Sequence, residues 1–304
     1  MKGYKAFEKG LVCRGKQYAE NTVFEEDEAV ICKKGMHFCA EPMDVFNYYP
    51  PESEFAEVEA PDGAETDDNR QYVTKKLKVG SKMSLKELIS AQVEIDLEKA
   101  KEEGNGSYAQ GYRGHAAAQG DSGHAAAQGN WGHAAAQGKF GHAAAQGDWG
   151  YAAAQGYRGH AAARGNWGHA AAQGDSGHAA AQGYRGHAAA QGNWGHAAAQ
   201  GNWGHAAAQG KFGHAAAQGY RGHAAAQGDE GHASVGGKDA IAAAFGINGK
   251  AKACLGSWIM LAEWANTSEG WHIKTVKTAK IDGEKLKADT WYMLKKGKFE
   301  EVEG

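Results

Sequence analysis

Apolar and polar positions along this chain obey one rule before about residue 104 and another after it. In the first stretch, short apolar runs of uneven spacing, Lys5–Cys13, Val23–Cys32, Gly35–Cys39 and Glu54–Ala60, read as strands. Ser84-Leu-Lys-Glu87 is a capping box opening a helix that ends near Gly104. From Asn105 to Ser257 the pattern becomes periodic at nine residues, with thirteen near-identical Gly-His-Ala-Ala-Ala-Gln-Gly-x-x units opening at Gly114 and ending with the one at Gly222. Beyond it, Trp258–Trp264 and Trp271–Ile281, a turn at Asp282–Gly283 and a strand around Trp291–Leu294 are again dense in large apolar residues. The expected division is an α+β domain over 1–104, a repeat array over 105–257 and a β-rich cap over 258–304.

Each unit offers five residues between glycines, barely one helical turn, which is too short to nucleate a helix despite the alanines. A short strand closed by a glycine turn reverses direction once. Two units therefore complete a coil of about 18 residues, and the array reads as a nonapeptide β-solenoid of the β-roll type, making the chain mainly β. Strand alternation puts the first and third Ala on one face and His, the middle Ala and Gln on the other. The worn units fix which face is inside: in Lys250-Ala-Lys-Ala253 lysine falls at the His and middle-Ala positions, and Ser234 again takes the middle one. Ala116 and Ala118 should point inward, with His115, Ala117 and Gln119 outward. Seventeen recognisable units give about eight and a half coils, a rod about 40 Å long.

Composition adds limits. The 304 residues include 45 Gly, about twice ordinary usage, but their strict spacing argues against a flexible linker. A net charge of -3 without long runs of either sign gives no reason to expect nucleic acid or an anionic membrane as partner. Four cysteines without disulfide-framework spacing and a start lacking an apolar signal stretch make a cytoplasmic protein, or one packaged in a phage particle, the expectation.

Thirteen of the fifteen His occupy the second repeat position, with Tyr151 the single substitution at that position in the near-identical units. On a β-roll they form outward columns, and His115, His133, His169 and His187 are candidate ligands for a divalent metal through imidazole. Identical spacing builds no closed four-ligand cage, so stacking and hydrogen bonding is the plainer role. Stacked imidazoles should resist protonation, and acid should charge the columns. Cys32, His37 and Cys39, with Cys13 as a possible fourth, form the other compact ligand-like cluster, although small buried cysteines are common.

Sorted by alternate unit, the variable pairs fall on two edges. One carries an aromatic in every pair and holds Tyr112, Arg113, Trp131, Trp149, Trp167, Tyr184, Arg185, Trp203, Tyr220 and Arg221. Aromatic residues and Arg are the mix favoured at interfaces, which makes this edge a candidate interaction surface.

The flanking motifs, Lys2–Phe7 (KGYKAF), Cys13–Tyr18 (CRGKQY) and Gly35–Cys39 (GMHFC) before the array, with Lys250–Trp258 (KAKACLGSW) and Lys287–Leu294 (KADTWYML) after it, resemble a family of bacterial and phage-encoded proteins. That family sets a short-repeat array between such ends, and some members carry repeats similar to trimeric autotransporter adhesin heads, which are β-rolls. The resemblance implies no catalytic residues. Gly35–Tyr48 also resembles the glycine–strand–helix segment of ADP-ribosyltransferase folds, which implies a nicotinamide stacked on a later Tyr; no matching His or Arg on a first strand and no clear catalytic Glu accompany it. The leading expectation is a non-enzymatic structural protein that forms homo-oligomers or binds another assembly partner, with no cofactor. A ligand-binding or ADP-ribosyltransferase-like N-terminal domain on a solenoid spacer, and a His-ladder metal-binding module, are the alternatives.

Overall fold

The computed structural model describes residues 1–31, 33–67, 70–102 and 107–303, with backbone alone over 96–102. The chain divides into two compact units, Met1–Ile95 and Asp96–Gly304. The first is built on strands β1 (Lys2–Phe7), β2 (Val12–Cys13), β3 (Lys16–Gln17), β4 (Thr22–Glu25), β5 (Met36–Cys39), β6 (Glu54–Glu59), β7 (Glu65–Thr66), β8 (Gln71–Thr74) and β9 (Lys76–Met83). Seven of these form an antiparallel sheet in the order β4-β9-β6-β1-β5-β8-β7, while β2 and β3 make a separate small hairpin. Phe7, Met36, Phe38, Leu77 and Val79 are buried in its core.

Helix α1, Leu85–Glu102, starts where the capping box places it. The Ser84 amide donates to Glu87 Oε2 at 2.7 Å, and the Glu87 amide returns a bond to Ser84 Oγ at 3.2 Å. Two strands are shorter than the apolar runs suggest. The Lys5–Cys13 run breaks after Phe7 because Gly10 and Leu11 adopt φ of 85° and 59°, a turn that separates β1 from β2. The Val23–Cys32 run stops at Glu25, where an acidic stretch leaves the ladder; Cys32 lies outside the described residues.

The second unit is a β-solenoid with the predicted coil. Strands of five residues, from His to Gln, lie alternately in two parallel sheets, and each pairs in register with the strand eighteen residues on, as in His115↔His133 and His124↔His142. The first and third Ala of each strand fill the interior: Ala125, Ala127, Ala143 and Ala145 are fully buried, and those of the other sheet nearly so. Lys250 and Lys252 flank fully buried Ala251 and Ala253, as the worn units imply.

Large side chains end the alanine core. The parallel ladder runs one strand further than the repeat, because Trp258–Thr267 still pairs in parallel with Ile241–Ala244; it then pairs antiparallel with Gly270–Lys280. The other sheet is closed by the hairpin of Trp291–Lys295 and Lys298–Val302. Ile259, Leu261, Ile281 and Tyr292 continue the Ala core. Leu261 is fully buried, so Leu261→Ala is expected to destabilise the unit by about 3 kcal/mol in urea unfolding, far more than loss of any one alanine methyl.

Candidate functional site

The solenoid has two outward faces, and they differ. On the ten-stranded sheet, the outward middle positions of the first six strands are open: Ala117, Ala135, Ala153, Ala171, Ala189 and Ala207 are exposed, as are the Gln residues beside them. On the eleven-stranded sheet the same positions are enclosed: His160 and His178 are 2% and 1% exposed, and Ala144, Ala162 and Ala180 are buried. Both His columns point away from the Ala interior, as the strand alternation predicts, but the second is covered on its outer side. The pleat fixes which side of a strand a residue takes, but carries no information about whether that side is covered.

The open face consists of three straight rows. The first is His115, His133, Tyr151, His169, His187, His205 and His223, whose rings stack at centroid distances of 4.8, 4.8, 4.6, 4.8, 4.8 and 5.0 Å. The third is a glutamine ladder, in which Gln137 donates to Gln155, Gln155 to Gln173 and Gln173 to Gln191 at 3.4, 3.3 and 3.4 Å. Between them the middle alanines form a low apolar floor, so the face is a trough with an aromatic wall and an amide wall. Alanine is the only apolar side chain small enough to leave such a depression without a gap in the strand.

This geometry bears on the metal candidates. His169 and His187 have rings within 5° of parallel, and His187 and His205 within 7°. Parallel stacked imidazoles aim their in-plane lone pairs side by side rather than at a common point, so neighbours in the row do not chelate one ion. Tyr151 also separates His133 from His169. His37 and Cys39 stand two apart on β5, the Cys13 Sγ is hydrogen-bonded to Tyr49 Oη at 3.0 Å, and Cys32 is not described. Among the described residues no group of three or more His, Cys, Asp or Glu is placed to hold a metal ion.

Protonation is resisted at named positions in each column. Burial, with neighbouring imidazoles in several cases, lowers the pKa of His133, His169, His187 and His205. In the enclosed column, burial, with the adjacent His178 and His214 and His232 one strand beyond, holds His196 well below the ordinary value. Burial is also the main cause at His232, pushed down to about 3 with help from His214, Lys250 and Lys252.

The aromatic edge is brought together as a column. Trp131 stacks on Trp149 at 5.0 Å and 3°, Trp149 on Trp167 at 4.8 Å and 6°, and the Arg185 guanidinium covers Trp167 at 4.4 Å. Further along, Arg221 lies over Trp203 at 5.0 Å and Tyr220 at 4.9 Å. Backbone bonds knit the edge, with Trp131, Trp149, Trp167, Arg185 and Trp203 amides donating to Tyr112, Asn130, Asp148, Asn166 and Tyr184 carbonyls. Tyr112 and Tyr184 are half or more exposed, and Arg113 is exposed beside them.

Among the described residues no helix is long and apolar enough to cross a membrane. A family model described as a domain of unknown function, DUF7666, matches residues 1–91, the first unit without the array. No curated protein matches the chain. No solved structure matches it either. The comparisons thus leave the repeat as a β-solenoid known by its own geometry.

Proposed function

We propose that this is a structural repeat protein whose open His–Ala–Gln face pairs with the same face of a second copy. The observation that carries the reading is the face itself: straight rows repeating at one strand spacing, with a continuous alanine floor between taller walls. A surface built by translation of one row matches itself when turned over, and a ridge of one copy finds a trough of equal pitch in the other.

The area is adequate. Seven strands at about 4.8 Å by five residues at about 3.3 Å give about 500 Å² per copy, or about 1,000 Å² in the pair, the lower bound for a specific interface. The aromatic–Arg edge adjoins this face and carries the side chains that interfaces favour, so it extends the same contact. We read the place of action as the cytoplasm or a phage particle, on the resemblance of the flanking motifs.

A charge on the floor tests this. Ala171→Glu projects a carboxylate from an exposed position and leaves the Ala interior intact. Sedimentation velocity should show the wild-type assembly reduced to single chains in the variant, with an unchanged far-UV circular dichroism spectrum. An assembly that persists in Ala171→Glu and Ala135→Glu alike would place the interface elsewhere and defeat the proposal.

A further inference from the structure

The first unit holds a cleft lined by its own residues. Its volume is about 470 Å³, within the range of small-molecule sites, and Lys5, Cys13, Arg14, Lys16, His37 and Tyr49 are among its lining residues. Lys5 projects from β1 into this lining and is only 5% exposed. Its Nζ donates to the His37 carbonyl oxygen at 2.6 Å and lies 5.5 Å from the rings of Phe7 and Tyr18.

What surrounds Lys5 is unusual for a buried cation. Among the described residues, the ionisable groups that act most on it are Cys13, which also hydrogen-bonds to it, Cys39 and Arg14, and none of these is a carboxylate. The acid in the lining, Glu26, is paired with Lys16. Burying an ammonium without a counter-charge is among the costliest arrangements in a protein interior, and burial lowers the Lys5 pKa accordingly. Arg14, exposed and in a left-handed backbone conformation at φ 50°, adds a second positive charge; burial, then Lys5 and Arg14, lowers the His37 pKa. Counting Lys5, Arg14 and Lys16 against Glu26, the lining carries net positive charge. The Cys13–Tyr49 hydrogen bond supplies a polar wall without any negative one.

We propose that this cleft binds a small organic oxyanion, a carboxylate or a phosphate ester, with its charged group against Lys5 and Arg14. The anion supplies the counter-charge that the fold withholds from Lys5. The aromatic and thiol groups around it keep the contact dry enough for that pairing to discriminate.

Calorimetric titration of the full chain at neutral pH and low salt tests this with two sets of probes: pyruvate and citrate for carboxylates, inorganic phosphate and adenosine monophosphate for phosphates. At least one set should bind with a dissociation constant below about 1 mM. Lys5→Met, which removes the buried charge and keeps the stem, should weaken that binding by about 30-fold or more. Arg14→Gln at the exposed rim, where folding is not at stake, should weaken it by about 5-fold. Bound anion should also slow acetylation of Lys5 relative to exposed Lys9, read by mass spectrometry. The proposal is overturned if no probe binds in this range, or if binding is the same in both variants.

Discussion

Gly174→Ala is expected to be among the most damaging single methyl additions in the array. Gly174 follows the glutamine of its unit and has φ of +153°, and a Cβ built there would lie 1.5 Å from the Gly156 carbonyl oxygen of the preceding coil. That oxygen belongs to backbone held in the inter-coil ladder, so nothing flexible can move aside. Strain from the left-handed conformation and collision with the ladder act together, and a loss of about 3 kcal/mol or more is expected. Two companion variants separate the causes. Gly120 has φ of +141° with nothing within 4 Å of its Cβ position, so Gly120→Ala should cost only the conformational strain, about 1–2 kcal/mol. Gly177 precedes a His, and its Cβ would meet Ala172 at 3.3 Å, so Gly177→Ala should cost about 1 kcal/mol. Urea unfolding followed by far-UV circular dichroism ranks the three. Equal losses at Gly174 and Gly177 would mean that the coils do not stack as closely as described.

The second large effect is acid loss of stability. His196 and His232 are held neutral in the folded chain, His232 with a pKa of about 3 against an ordinary value of 6.5. The unfolded chain then binds more protons than the folded one as pH falls, so stability rises with pH across this window. The contribution of His232 is fully present above about pH 6.5 and is lost progressively between there and about pH 3. For that group alone the loss from neutral pH to below about pH 3 is on the order of 5 kcal/mol. The open column adds a smaller effect of the same sign, through His133, His169, His187 and His205. Denaturant midpoints should therefore fall steadily from pH 7 to pH 4.5, and His232→Gln should flatten the curve. Midpoints that stay level over that interval would contradict the enclosure of the second column.

Much of the architecture was legible because the repeat enforces it. A five-residue segment between glycines, with lysine tolerated at Lys250 and Lys252 but never at Ala251 or Ala253, determines strand length, coil length and the inward alanines. The capping box at Ser84 and Glu87 located the helix start, because that signal is local. What the sequence could not reveal depends on distance. Enclosure of His142 and His178, and openness of His169 and His187, arise in strands of identical HAAAQ sequence, so no residue type distinguishes them. The glycines likewise look alike in the repeat, yet only the one after Gln approaches the neighbouring coil's backbone so closely. The Lys5 cleft joins β1, the β2–β3 hairpin, Glu26, β5, the segment around Asn47 and Gln71 of β8, pieces with no shared period to announce their meeting.

Pairing through the open face is the central claim, and the mass of the protein in solution tests it most directly. Size-exclusion chromatography with multi-angle light scattering, at neutral pH and with chelator present, should give the mass of two or more chains. A single species at 32.1 kDa, unchanged across concentration, would contradict it and leave the His–Ala–Gln trough as a surface for some other molecule.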